Sequence, residues 1–206
     1  MDRRHFIAAA STLPFLASPG LAQAVRVEDL MKPAGKLPDV IMGKPDAKAT
    51  IIEYASMTCS HCATFHMNTW PALKAKYIDT GKARFILREF PLDPLAAGGF
   101  MLARCSGDRR EAMVDLLFKE QRNWAFSEKP VDALTALAKQ AGFTQESFEK
   151  CLTDQSLLDG VLAVKNQGQN EFKVDSTPTF FINGNKYTGA MSIDEFDKIL
   201  SPIVGN

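Results

Sequence analysis

Two thiols three positions apart, Cys59 and Cys62 in Met57-Thr58-Cys59-Ser60-His61-Cys62, are the residues of this chain best suited to covalent chemistry. A pair at this spacing closes a short disulfide when the intervening turn is helical or nearly so, because both side chains then share one face of a first helical turn. The first thiol stands over the free N–H groups of the helix N-terminus, where the positive end of the dipole favours thiolate over thiol. A low-pKa thiolate is the attacking species in disulfide exchange and also a good leaving group. Cys59 is therefore the expected nucleophile and Cys62 the resolving thiol. Two rival readings stay open. His61 and His66 stand near the thiols and Cys62 to His66 is one helical turn, a spacing that could place metal ligands together, although a structural zinc site needs four. The pair could also be an inert structural disulfide.

Three further residues have types that would serve redox chemistry. His61, between the thiols, can supply a positive charge or hydrogen bond that favours the Cys59 thiolate; otherwise it is an exposed residue filling the turn. Glu53 interrupts an apolar run six positions before Cys59. In a central strand it must be paired or protonated, which suits a proton carrier for Cys62; at a strand end it simply reaches water. Thr177-Pro178 opens another apolar run, where proline is tolerated and the peptide is ordinarily trans.

The elements that would position these residues follow from pattern. Thr50 to Ala55 reads as a buried strand. Ser60 to about Thr80 reads as a helix kinked at Pro71 and ended by Gly81. Ala83 to Phe90 reads as a second strand, and the strand, helix, strand order implies a parallel pair joined by a right-handed crossover. Residues 95–153 carry helical signals only, over Ala96 to Ser106, Arg109 to Asn123, Val131 to Ala141 and Gln145 to Leu152. A helix from Gln155 to Phe172 then precedes a strand within Asp175 to Ile182, a turn at Asn183-Gly184-Asn185 and a short strand from Lys186 to Gly189. Ser192-Ile193-Asp194-Glu195 has capping-box spacing for a final helix from Ile193 to Leu200.

The fold class expected is α/β, with residues 41–94 and 154–206 forming one domain, 95–153 an inserted all-helical domain, and 25–40 a short leader with no regular period beyond a turn at Glu28 to Lys32. The 206 residues carry 24 basic and 24 acidic side chains. A neutral chain has no global field to draw in nucleic acid or an anionic membrane, so no nucleic-acid partner is expected. Residues 1–24 combine a basic start at Arg3-Arg4-His5, an apolar segment from Phe6 to Ala17, and the small-x-small triplet Ala22-Gln23-Ala24, which is signal-peptide grammar. Arg3-Arg4 admits the twin-arginine route as well as the general one. Either takes the chain out of the cytoplasm, where Cys105 and Cys151 are expected to form a structural disulfide, the alternative being two buried free thiols.

Glu53-Tyr54-Ala55-Ser56-Met57-Thr58-Cys59-Ser60-His61-Cys62, the helical insertion, and Ser176-Thr177-Pro178-Thr179-Phe180-Phe181-Ile182-Asn183-Gly184 together resemble the DsbA family of periplasmic thiol:disulfide oxidoreductases. The resemblance covers about residues 37–202. It implies a thioredoxin fold interrupted by a helical domain, with a cis-proline loop at Thr177-Pro178 beside the cysteine pair, and a low Cys59 pKa with an oxidising potential. It also implies Cys59 as nucleophile, Cys62 as its buried partner, His61 as the histidine that stabilises the thiolate, and Glu53 as the buried acid. The implied partners are reduced or unfolded secreted proteins and a DsbB-like, quinone-linked membrane oxidase. The protein is expected to be a monomer with no cofactor beyond the redox-active pair, and no bound metal. Two departures bear on substrate breadth and reoxidation: Ser60 replaces a common proline, and Thr177 replaces the valine of the best-known oxidases. A disulfide isomerase or reductase of the same fold is the alternative activity, and a non-catalytic metal-binding envelope protein the alternative of another class.

Overall fold

A computed structural model describes residues 24–205. The expected signal peptide, residues 1–24, lies outside the described residues except for Ala24. Strand β2 (Ala49–Ala55) is buried at all seven positions, as a central strand covered on both faces must be. The sheet is built outward from it, in the order β1-β3-β2-β4-β5. Strand β3 (Ala83–Glu89) runs parallel to β2, setting Glu53 beside Leu87 and Ala55 beside Glu89. Strands β1 (Ile41–Met42), β4 (Thr179–Ile182) and β5 (Asn185–Thr188) pair antiparallel to their neighbours.

Alternation along β2 divides the core in two. Ile51 and Ala55 join Phe65, Phe85 and Phe180 on one face, whereas Ile52 and Tyr54 join Ile86, Phe181, Val164 and Leu30 on the other. Glu53 shares the first face. Helix α9 (Gln155–Asn170) lies on the second, so close that a Cβ on Gly168 would stand 2.6 Å from the Tyr54 ring.

The helix expected over residues 60–80 is three pieces. Helix α2 (Ser60–Asn68) ends at Thr69, α3 (Trp70–Leu73) restarts with Pro71 in its first turn, and a π turn covers Lys74–Ile78. Pro71 thus sits where a missing N–H leaves no bond unmade. Between β3 and α9 run only helices: α4 (Pro94–Cys105), a 3₁₀ turn (Gly107–Arg109), α5 (Arg110–Lys119), α6 (Gln121–Trp124), α7 (Pro130–Gln140) and α8 (Gln145–Leu152). The helix expected over 109–123 is split at Glu120. This is the expected α/β architecture, a thioredoxin fold with an all-helical insert.

Strand β4 begins at Thr179, later than the run from Asp175 suggested, because residues 175–178 turn instead of pairing, with Thr179 Oγ1 donating to the Ser176 carbonyl at 2.7 Å. Helix α10 (Ile193–Val204) has the expected capping box at Ser192 and Glu195 but runs past Leu200 through Pro202.

The leader is more ordered than its composition suggested. It contains α1 (Val27–Leu30), whose Leu30 is buried. Arg88 of β3 donates to the Leu30 carbonyl at 2.6 Å, to the Asp39 carboxylate at 2.7 and 3.0 Å, and to the Tyr54 hydroxyl at 2.8 Å. Arg104 donates to the Pro38 carbonyl at 2.7 Å. Two arginines on the body of the fold thus fasten residues 30–39 across it.

Cys105 and Cys151 form the expected disulfide, joining the end of α4 to α8 across 46 residues. Closing a loop of this length is worth about 4 kcal/mol in the chain-entropy account. Cys105→Ser with Cys151→Ser is therefore expected to lower the urea midpoint by an amount equivalent to about 3 to 4 kcal/mol; an unchanged midpoint would show that the insert does not draw its stability from this link.

Candidate active site

Strand β2 ends at Ala55 and the chain turns through Ser56, Met57 and Thr58 before α2 begins, so Cys59 is the residue preceding the first turn of α2. Cys59 and Cys62 are both free thiols here. Cys59 is 9% exposed and Cys62 is fully buried. Cys62 Sγ–H is the first cause holding the Cys59 pKa down to about 5; the Thr177 hydroxyl and the backbone N–H groups of Cys62 and His61 add to it, against the effect of burial. Cys62 is driven well above the ordinary thiol range by burial, by Cys59 and by the charge of Glu53. The pair is therefore strongly unequal. One sulfur holds a thiolate at neutral pH and the other holds its proton.

Thr177 and Pro178 close the site from the strand side. Their peptide is cis. The Thr177 carbonyl accepts from Cys59 Sγ at 3.2 Å, and Thr177 Oγ1 beside it is buried with no hydrogen-bond partner among the described residues in this geometry, free to turn toward the Cys59 thiolate whose pKa it helps to lower. His61 is exposed, and among the described residues no hydrogen bond holds its ring; it acts on Cys59 through its backbone N–H.

Glu53 is fully buried and paired, the first of the two alternatives its position allowed. Its partner is His66 of α2, whose Nε2 lies 2.9 Å from Glu53 Oε2. The His66 ring stacks on Phe118 of α5 with centroids 4.1 Å apart. His66 had entered the sequence reading only as a possible metal ligand. Among the described residues, no group of three or more His, Cys, Asp and Glu side chains is arranged to hold a metal ion.

Two supports come from the helical insert and have no local signal in the sequence. Gln121, buried, donates through Nε2 to the Met57 carbonyl at 2.8 Å and the Cys59 carbonyl at 3.0 Å. Thr58 donates to Asp93 at 2.6 Å, and Asp93 caps α4 by accepting from the Ala96 N–H. The turn that presents Cys59 is thereby tied to α4 and α6. Beside it opens an apolar groove of about 660 Å³, running from Thr58 past Leu92 and Leu95 to Phe126, Val131 and Leu134. Leu92, Phe126 and Val131 are each more than half exposed.

Fold and site together define a thioredoxin-type protein with an asymmetric dithiol at the start of its first long helix. Residues 36–201 match the thioredoxin family model. A Rickettsia bellii protein named as a candidate protein-disulfide oxidoreductase is 38% identical over 148 residues, covering 71% of this chain; the chain spans 57% of that relative's length. The structure of Wolbachia pipientis alpha-DsbA1 superposes with a TM-score of 0.78 at 30% identity, over 86% of this chain and 96% of that one. A protein-disulfide isomerase from Novosphingobium aromaticivorans shares the fold, with a TM-score of 0.72 at 20% identity over 82% of this chain and 98% of that one. The chain belongs to the DsbA-like branch of the thioredoxin family.

Proposed function

We propose that this protein is an exported thiol:disulfide oxidoreductase that introduces disulfides into reduced secreted or envelope proteins by exchange at Cys59 and Cys62. The observation that carries the reading is the inequality of the two sulfurs, with Cys59 held at about 5 and Cys62 well above the thiol range. Stabilising the reduced pair in this way makes the oxidised pair the better oxidant, by roughly 30 mV for each 1.4 kcal/mol.

In the forward step a substrate thiolate attacks Cys59 Sγ, the Cys59–Cys62 bond breaks, and its electron pair leaves on Cys62, which takes up a proton. The substrate's second thiolate then attacks the substrate sulfur of the mixed disulfide and releases Cys59 as a thiolate. Glu53 carries the proton for Cys62, Thr177 and the amides of the first turn of α2 stabilise the Cys59 thiolate, and the Thr177-Pro178 loop receives the extended substrate. His61 adds its amide and, when protonated, its charge. A quinone-linked membrane protein of DsbB type reoxidises the pair, and the protein works as a monomer in the periplasm, delivered by the signal peptide in residues 1–24. No helix among the described residues is long and apolar enough to cross a membrane.

The test is the redox state of the pair trapped in its native compartment. A mostly oxidised pair is expected; a mostly reduced one would assign the protein to isomerase or reductase work instead. The apolar groove beside Thr58 suits the unfolded segments such a substrate offers. Phe126→Ser with Val131→Ser is therefore expected to raise KM for reduced unfolded protein by roughly tenfold, the worth of one or two buried side chains, and to leave exchange with a small dithiol unchanged. Equal effects on both would remove the groove from substrate binding.

A further inference from the structure

Exchange at Cys59 and Cys62, the reading on which this inference rests, requires Cys62 to gain or lose one proton in every half-cycle. Neither Cys62 nor Glu53 touches solvent, both being fully buried. The proton must cross protein to reach the surface. Glu53 bears on Cys62 through its charge, its Oε1 is buried with no hydrogen-bond partner among the described residues, and its Oε2 lies 2.9 Å from His66 Nε2. The other ring nitrogen, Nδ1, is buried and has no hydrogen-bond partner among the described residues. His66 is also a wall of a pocket of about 200 Å³, whose remaining walls are Met67, Trp70, Pro71, Asp115 and Lys119. The pocket is lined largely by apolar side chains, with Asp115 and Lys119 as its charged members, and a space of that size admits several waters at about 30 Å³ each. Met67 is 48% exposed, which brings this pocket to the surface.

We propose that His66 is the proton relay of the buried thiol, passing one proton between Glu53 and the Asp115-lined pocket. When the substrate thiolate bonds to Cys59 and the electron pair leaves on Cys62 Sγ, that sulfur takes the proton shared along the Glu53–His66 hydrogen bond. His66 is reloaded at Nδ1 when a pocket water moves in against that buried nitrogen. On reoxidation the same proton travels outward, so the balance is one proton in and one proton out per cycle. An imidazole suits this step because it can accept at one nitrogen while releasing from the other. The stack on Phe118 holds the ring in the plane that serves both ends.

The charged groups around the ring are disposed to leave it free for that exchange. Glu53 faces it from β2, and Arg110, Glu111, Asp115 and Lys119 from α5. Arg110 is committed to Glu89 at 3.2 Å, and Lys74, from the π turn, to Asp79 at 2.8 Å and Glu111 at 3.7 Å. Asp115 is held above the ordinary carboxylate range by burial, with His66 acting in the opposite sense.

The step to measure is attack by Cys62 on a mixed disulfide between Cys59 and glutathione, read as glutathione release after rapid mixing, since Cys62 must first lose its proton. In His66→Ala release is expected to slow roughly ten- to a hundredfold near neutral pH, the range of a lost proton-transfer group. The rate should rise with pH more steeply than in the parent protein. Imidazole added to the buffer should restore it, and pyrazole, a ring of the same size and far weaker basicity, should not. The thiolate titration of reduced Cys59 is expected to stay near about 5. If His66→Ala folds poorly, His66→Gln keeps a donor toward Glu53 and a similar volume but cannot relay, and the same slowing is expected. Release at the parental rate in either variant, or equal rescue by pyrazole, would overturn the relay. Failure of the parent protein itself to form or resolve the mixed disulfide would instead overturn the exchange reading.

Discussion

Cys62→Ala is expected to raise the Cys59 midpoint from about 5 to about 6 to 7 and to stop exchange at the mixed disulfide. The first cause of the low value is the hydrogen bond from Cys62 Sγ–H, and alanine removes it. A hydrogen bond to a charged group is worth about 1.5 to 3 kcal/mol, and about 1.4 kcal/mol moves a midpoint by one pH unit. The helix N-terminus and Thr177 remain, so the midpoint should stop short of the free-thiol value of about 8.5. Thr177→Val removes the next donor and should move the midpoint the same way by less. Thiolate absorbance against pH reads both. A Cys62→Ala midpoint that stays at about 5 would assign the depression to the amides and Thr177 alone.

The same shift sets how the reduced protein responds to pH. The folded Cys59 pKa of about 5 lies well below the free-thiol value of about 8.5, so its contribution to stability is fully present above about 8.5 and is lost as pH falls through about 5. At pH 7, two pH units above the folded midpoint, it amounts to about 3 kcal/mol. The oxidised pair does not titrate and lacks this contribution. At pH 5 the group is still half ionised, so reduced protein should lose about 2 kcal/mol of urea resistance between pH 7 and 5 relative to oxidised protein, and parallel losses in the two forms would contradict the assignment.

Glu89→Ala is expected to cost the most in stability. Glu89 is fully buried at the end of β3, and Oε1 alone faces two guanidinium groups, Arg104 at 2.7 Å and Arg110 at 3.2 Å, both nearly buried. Removing the carboxylate leaves two positive charges inside the protein with no counter-ion, a change that costs about 3 to 5 kcal/mol. Replacing the whole cluster, with Glu89→Met, Arg104→Met and Arg110→Leu, should recover most of the loss, because the penalty belongs to the unpaired charges. Burial works to raise the Glu89 pKa, but Arg104 and Arg110 outweigh it and hold it below the ordinary range. Its stabilisation is thus present above the unfolded value of about 4.3 and lost below it as the carboxyl protonates. Urea midpoints of parent, single and triple variants check this; a single variant as stable as the parent would show the arginines reach water.

What the sequence disclosed divides by the range of the interactions involved. Cys59 and Cys62, the strand before them and the capping box at Ser192 are local patterns, and each appears where expected. A nearly unbroken apolar run placed Glu53 in a strand, and a helical turn placed His66 one turn after Cys62. Their pairing needed the sheet and α2 to be docked, and nothing local announces that. Gln121 lies 62 residues from the Cys59 carbonyl it holds, and its side chain reads as an ordinary polar residue within the helix expected over residues 109–123. The leader failed for the same reason: Arg88 and Arg104 tie residues 30–39 down from 49 to 66 positions away, a contact no window along the chain can contain. His61 shows the converse, since its position in the turn was plain while the exposure of its ring followed only from the packing around it.

The sheet's two borders bear on how this protein can work among unfolded chains without joining them. β1 is two residues long, and β5 is four residues with Lys186 in it. Borders so short, one of them carrying a lysine, give a foreign strand too few open N–H and C=O groups to grow on. A foreign chain meeting these flanks is denied a template for aggregation, and on the proposed function the one bond it forms, to Cys59 sulfur, is a bond that exchange can undo.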